Sequence, residues 1–571
     1  MDGKWIPGRW RQTGHNDPVQ APTEGLTKVF DEIASKTAQL VQQPYNAGHW
    51  GARAELLTMV GYPELAAGDA RKSQILCTAM LEGKGLSLAA RKQLLLDDPS
   101  TNTAAIPEPL QYQPLWTETV KQLRFRSFMV LSRALSQAGA FHSFREMCLE
   151  ARAMYPADDV LSSGLASSDV ALKSLRRNIQ QSHALGRSQT NVDEQLKFGR
   201  ISFRLYPFMP PQYLQRSAER ITSANTRLVE MGAACVVRAS SLGSSAAIPE
   251  PPLRILGPWN RTLGLFATSD IKKGDVILKD TTTWGTNTEP AVVYFKYQGR
   301  AHPMPRCDNC CGITPPWNSV VHQSKCCNTT YCSDSCLKTA KATYHQVLCG
   351  KDFSWITNKP QSGGRQTDPG LSDTIGSMWL RILATCVQSG LHPLEHPSIA
   401  ALTANYESDD RISRRWSLAF NIDVPQRILT TLGVDIFKDL RYDTWVLQTI
   451  WARMTNNQRG EIEKGLNGPV VSRSVHQLFS FINHSCEPNA EAEDLSETYP
   501  PQTAPVVCSS ALAIFARKNI KAGEELFISY ANGETLGQSR AVWNYNLQLS
   551  RLSGDCLCAR CKREAQGEEG K

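Results

Sequence analysis

Twelve of the seventeen cysteines fall in two places, and that placement constrains the fold more than any other feature. Eight lie between Cys307 and Cys349, a span of 43 residues that also holds His322 and His345. The other four are one distant residue, Cys486, and the tight run Cys556, Cys558 and Cys561 in C-L-C-A-R-C. Pairs spaced by two or three residues and closed by H-x3-C suit tetrahedral zinc sites whose ligands fill every position. One upstream thiolate plus three clustered ones make a further four-sulfur set. Disulfides are the competing use of so many cysteines, but they belong to oxidising compartments. The N-terminus, M-D-G-K-W-I-P-G-R-W, lacks the apolar stretch of a secretory leader, so the chain reads as intracellular. Cys77, Cys148, Cys235, Cys386 and Cys508 sit singly among apolar neighbours and read as buried core residues.

At 571 residues the chain can build three or more compact units. With 41% hydrophobic and 20% charged residues it has the balance of a soluble globular protein. No uninterrupted apolar stretch approaches the ~18 residues of a membrane-spanning helix, so no membrane partner is expected. The net charge of +8 is spread without a long Lys/Arg block. That pattern describes a mildly basic solvated surface with a weak attraction to acidic partners, not a nucleic-acid footprint.

Texture divides the chain. Residues 26–235 recur in apolar character at three and four, the helical period. Two segments read as helix-turn-helix pairs. One starts at Trp50, breaks at Gly61 and Pro63, and continues with the small residues Ala66, Ala67 and Ala70. The other starts at Phe125, breaks at Gly139 and stops at Pro156. They look like degenerate tetratricopeptide (TPR) repeats, although their spacing is not a multiple of about 34 residues. A Ser/Ala/Pro-rich linker follows at 242–252, after which the pattern becomes strand-like. L-G-L-F-A-T-S-D-I-K-K-G-D-V-I-L, residues 263–278, reads as two strands around a Lys-Lys-Gly turn. The stretch from Ala511 to Tyr530 repeats that grammar. Residues 350–468 are mostly helical with a flexible interval at P-Q-S-G-G-R-Q-T-D-P-G, and the tail beyond Cys561 reads as disordered.

The string F-S-F-I-N-H-S-C-E-P-N-A ends at Ala490, G-E-E-L-F-I-S-Y ends at Tyr530, and the C-x-C-x2-C run closes the chain's last metal set. Together they resemble the C-terminal half of a SET-domain protein methyltransferase. The block from Cys307 to Cys349 resembles a MYND zinc finger. A finger inserted between two SET halves is the architecture of SMYD-type lysine methyltransferases, and helical repeats before it are similar to the TPR–SET group. The resemblance covers about residues 254–562 and is most specific at 474–532 and 556–561.

It implies a multidomain α+β protein: a helical TPR-like region at 1–241, a linker at 242–252 and the SET N-terminal part at 253–306. The finger at 307–349, a helical insert at 350–470, the SET C-terminal part at 471–532, a zinc-bound post-SET segment at 533–562 and a tail at 563–571 complete it. It further implies transfer of a methyl group from S-adenosylmethionine (SAM) to a lysine of a histone or non-histone protein, with about three zinc ions. Asn483 and His484 would contact the cofactor, Leu263 and Gly264 would stand for the G-x-G element beside it, and Tyr530 would orient methyl and amine. Cys307, Cys310, Cys332 and Cys336 would hold one finger zinc. His345 and Cys349 would join Cys326 or Cys327 on the other, with His322 as the fourth ligand and Cys311 as its rival. Cys486, Cys556, Cys558 and Cys561 would hold the third.

Each polar residue has a structural alternative: Asn483 and His484 can satisfy buried backbone groups, and Tyr530 can be a core tyrosine. Phe481 fits a channel wall or the core. Two positions depart from the family pattern, Thr262 in place of the first glycine and Gly554 in place of an aromatic lid that Trp543 or Tyr545 could replace. A non-catalytic scaffold is the competing reading. Direct DNA recognition is not expected, because the finger has no basic recognition helix. Peptide partners docking on finger and repeats, in nucleus or cytoplasm, complete the expectation.

Overall fold

Helix breaks fall where backbone chemistry demands them. The computed structural model of the chain describes residues 1, 5–6, 10–15, 23–96, 114–184, 192–213, 218–240, 263–287, 292–297, 300–312, 322–357, 374–404, 414–465, 468–497, 507–531, 547, 556 and 558–569. Helix Ala47–Met59 begins at Asn46, whose side chain accepts hydrogen bonds from the amides of Gly48 (3.0 Å) and His49 (3.2 Å). Gly61, in the left-handed region, ends that hairpin arm, and Pro63 opens helix Pro63–Glu82 where no amide donor is needed. Helices Pro114–Gln137 and Phe141–Met154 form the second hairpin around Gly139. Thr23–Gln42, Ser87–Leu95 and Asp159–Ala184 are also helical.

The chain forms two compact units, Met1–Pro210 with Ser413–Thr449, and Pro211–Ile412 with Ile450–Lys571. Of the helical stretch expected over 350–470, residues 413–449 thus belong with the N-terminal helices. A buried charge cluster ties them there. The Arg53 guanidinium meets Asp69 at 2.6 and 2.9 Å and Asp443 at 3.0 Å, while the Lys72 ammonium lies 4.1 Å from the Trp50 ring centroid. Such a cluster is worth keeping only whole, because removing one partner strands the other charges in the interior. Strand Arg414–Trp416 also pairs antiparallel with Gly199–Ile201.

In the second unit, Cys235–Ala239 pairs antiparallel with Leu263–Ala267. The last part of the region expected as helical over 1–241 is therefore a strand of this unit. Ala490–Glu497, Val507–Ala516 and Val276–Asp280 form a three-stranded antiparallel sheet, and Gln458–Gly465, Gly468–Val475 and Trp284–Asn287 form another. The two expected turns, I-K-K-G-D and I-K-A-G-E, both form, with Gly274 at φ +89° and Gly523 at φ +85°. They clasp each other: Ile271 and Ile520 exchange amide–carbonyl bonds at 2.8 and 2.9 Å, and Leu526 donates to the Leu265 carbonyl at 2.7 Å. Leu263, Leu265, Ile277, Leu278, Leu512, Ile514, Leu526 and Ile528 fill the core between these strands.

The finger region holds the hairpin His322–Gln323/Thr330–Tyr331 and helix Asp334–Thr343, capped by Ser333. It is anchored on helix Ile375–Ser389, where Arg381 donates to Asp308 at 2.5 and 3.0 Å and stacks 4.2 Å from the Tyr344 ring centroid. The tail expected as disordered is instead a helix, Ala559–Glu569. Cys558 and Cys561 fix its first turn, Arg560 pairs with Glu564 at 2.9 Å, and Arg563 reaches Glu487. The linker 242–252, the interval 360–370, Thr262, Trp543, Tyr545 and Gly554 lie outside the described residues. Among the described residues no helix is long and apolar enough to cross a membrane.

Candidate active site

Asn483–His484 is a two-residue strand running parallel to Phe527–Ile528, so the N-H-S-C and G-E-E-L-F-I-S-Y segments meet edge to edge. Asp280 sets the approach. Its buried carboxylate accepts from the amides of Leu478 and Phe479, both at 2.8 Å, which fixes the turn Phe479–Phe481 immediately before Asn483. Burial pushes the Asp280 carboxyl up to about 6, with the Phe479 and Leu478 amides and Arg227 opposing. Phe481 lies in the hydrophobic core.

The Asn483 amide donates to the Leu263 carbonyl (2.9 Å), to Glu525 Oε1 (2.9 Å) and to Ser240 Oγ (3.3 Å). Ser240 Oγ in turn donates to Glu525 Oε1 at 2.6 Å. A Cβ on Gly264 would lie 2.2 Å from that carboxylate oxygen and 3.2 Å from Asn483 Nδ2, so only glycine admits the arrangement. Asn489 holds the Glu525 backbone from the other side, donating to its carbonyl at 2.8 Å and accepting from Phe527 N at 2.7 Å.

His484 is buried, and burial pushes its imidazole down to about 4, so the ring is neutral. Nδ1 accepts from the Tyr530 backbone amide at 3.0 Å, which leaves the proton on Nε2, 3.3 Å from Cys486 Sγ. One ring thus joins the tyrosine's backbone to the last cysteine set. The Tyr530 hydroxyl donates to the Ile482 carbonyl at 2.6 Å, and the ring packs against both the strand core and the cysteine cluster. With its proton committed, the phenolic oxygen can act toward a substrate nitrogen only as an acceptor.

Cys486, Cys556, Cys558 and Cys561 are buried, and all their sulfurs lie within 4.8 Å of one another. Cys486 Sγ is 3.8 Å from Cys556 Sγ and 3.6 Å from Cys561 Sγ. A tetrahedron of thiolates around zinc has an edge of about 3.8 Å, given Zn–S bonds of about 2.3 Å, so this donor set fits the ion. The set Cys307, Cys310, Cys332 and Cys336 fits equally, with Cys310–Cys332 and Cys332–Cys336 at 3.6 Å. Hydrogen bonds from neighbouring thiols, Cys307 foremost at Cys336 and Cys486 foremost at Cys558, push those two thiols far below their usual range. The same shared bonds push Cys310, Cys332 and Cys486 up.

The third set is Cys326, Cys327, His345 and Cys349. His345 Nδ1 faces the Tyr331 hydroxyl at 3.0 Å, which aims Nε2 at Cys326 Sγ (3.2 Å) and Cys327 Sγ (3.7 Å). Of the two cysteines that spacing left as alternatives, Cys326 and Cys327, both stand in this set. His322 stands in the hairpin opposite Tyr331, with its side chain outside the described residues. Its rival Cys311 stands outside the three sets, in the left-handed region at φ 60°. Spacing could not separate Cys326 from Cys327, since adjacent cysteines break the two-residue rhythm.

Residues 262–531 match the family model of the SET domain. A histone-lysine N-methyltransferase SET5 of Yarrowia lipolytica is 23% identical over 54% of this chain and 64% of its own length. SET5 of Saccharomyces cerevisiae is 22% identical over 53% of this chain and 58% of its own. The protein-lysine N-trimethyltransferase SMYD5 of Gallus gallus is 22% identical over 53% of this chain and 84% of its own. The chain spans less than two thirds of the length of the two yeast relatives.

Proposed function

We propose that the chain is a SAM-dependent protein-lysine N-methyltransferase whose catalytic unit is the SET domain at 262–531. The convergence of Asn483, Gly264 and Tyr530 beside the cysteine set of residues 486–561 carries this reading, together with the relatives' names. The residues suit the cofactor chemically. The Gly264 strand is bare of Cβ, and Asn483 Oδ1 accepts nothing from a described residue. When bound, SAM supplies an electrophilic methyl group.

The protein's part is placement. Leu263, Gly264, Asn483 and the His484 backbone would hold the cofactor. Tyr530 would accept a hydrogen bond from the lysine nitrogen and so turn the nitrogen's lone pair toward the methyl. The amine must be neutral to attack, and a site walled by apolar core residues disfavours the ammonium. The zinc sets would supply folding energy rather than chemistry, since four protein ligands leave no open position. The finger at 307–349 is assigned as MYND-type and the N-terminal helices as TPR-like, both docking peptide partners. Histone substrates in the nucleus are favoured by the relatives' names, with non-histone proteins in the cytoplasm as the alternative.

The test is transfer of tritium from labelled SAM to histones and to a proteome extract, with and without the purified full chain. Labelled bands that appear only with the protein, and that weaken on the order of 100-fold with Tyr530→Phe, are expected. No labelling would leave a scaffold that keeps the fold without the reaction, and undiminished labelling by Tyr530→Phe would show that the tyrosine is misassigned.

A further inference from the structure

The second carboxylate of G-E-E-L has no role in the mechanism above, yet its oxygen is where the site's polar bonds converge. Glu525 is 6% exposed, and its Oε1 accepts both the Ser240 hydroxyl (2.6 Å) and the Asn483 amide (2.9 Å). The same oxygen lies where a side chain on residue 264 would have to begin. Three segments distant in sequence therefore meet at one atom: Ser240 after strand Cys235–Ala239, Gly264 within Leu263–Ala267, and Asn483 at the crossing.

We infer that Glu525 is a positioning residue for cofactor binding, holding the Asn483 amide and the bare strand at Gly264 in one geometry. The inference rests on the proposal that Leu263, Gly264 and Asn483 hold SAM. Asn483 reaches the Leu263 carbonyl with the same nitrogen that Glu525 restrains, so releasing the carboxylate frees both the amide and the strand it pins. Asn489 clamps the Glu525 main chain independently, which keeps the strand crossing in place when only the side chain is lost. Small displacements suffice to weaken a site built this way, since binding geometry must hold to within about 0.5 Å.

The experiment titrates SAM into the full zinc-loaded chain by calorimetry, alongside thermal midpoint and zinc content. Glu525→Gln keeps an acceptor oxygen for Ser240 and Asn483, so its SAM affinity should stay within about threefold of the parent, under 1 kcal/mol. Glu525→Ala removes the acceptor and should weaken SAM about tenfold or more, while zinc content and thermal midpoint change little. An alanine variant that binds SAM like the parent overturns the inference. So does a glutamine variant as weak as the alanine one, which would place the effect in the charge instead of the hydrogen bonds. So does a loss of zinc or a collapse of the thermal midpoint in the alanine variant, which would make Glu525 a folding residue. Failure of the unaltered chain to bind SAM would instead sink the methyltransferase proposal itself, so the two failures are distinguishable.

Discussion

Glu64 carries its carboxyl in the interior of the N-terminal unit without an ion pair to a described residue. Thr13 Oγ1 lies 2.5 Å from one oxygen and the Tyr206 hydroxyl 2.8 Å from the other. Burial pushes the group from its ordinary 4.5 up to about 7, against the pull of those two hydroxyls. A carboxyl raised on folding contributes stability that is complete below about 4.5 and lost as pH climbs through about 7. The loss between those limits is on the order of 3 kcal/mol. Glutamine can donate to Thr13 and accept from Tyr206, and it does not titrate. The thermal midpoint of Glu64→Gln relative to the parent should therefore rise between pH 5 and about pH 7 and level off above that. A difference that does not change with pH contradicts the account. Residue-scale roles of this kind were only partly legible in the sequence. Tyr530, Asn483 and Gly264 stand out by their motifs, but the motifs do not say which partners they meet. His484 is expected at the cofactor, and the structure adds that its imidazole joins Tyr530 N to Cys486; Glu525 lies in G-E-E-L with no role expected from the sequence. Motif spacing names residues but not the atoms they face.

The most legible elements are those whose chemistry is local. Both Lys-x-Gly turns formed because a glycine at positive φ lets each chain reverse, and the hairpin helices broke at Gly61, Pro63 and Gly139. Elements fixed by distant partners were not legible. Asp443 stands 390 positions from Arg53, and no window along the chain reveals that they share a buried ion pair. The terminal helix was missed for a related reason. Its polar sequence argues for solvent exposure, and its anchors are remote in sequence: Cys561 and the preceding Cys558 share a set with Cys486, and Arg563 reaches Glu487. Those anchors are testable. Metal analysis of the purified chain should return about three zinc ions, one for each cysteine set. Cys561→Ser should remove one of them and raise the hydrogen exchange of helix Ala559–Glu569, leaving the finger's two. A count of one or none, or a helix indifferent to the substitution, would contradict the assignment.

On the scale of the whole molecule, the unit proposed to be catalytic is assembled from sequence-remote pieces. Strand Cys235–Ala239 lies in the expected N-terminal region, Leu263–Ala267 before the finger, and Asn483–Tyr530 after the helical insert. The finger and helix Ile375–Ser389 are joined through Asp308 and Arg381, so the insertion between the strand-rich parts is itself docked in the same unit. Everything proposed about activity requires that this assembly bind the methyl donor. Calorimetric titration of SAM into the zinc-loaded full chain is the most direct measurement. One saturable site per chain, weakened by Asn483→Ala, is the predicted result. No heat of binding up to ~1 mM SAM, a ceiling that already corresponds to only about 4 kcal/mol of affinity, would contradict it.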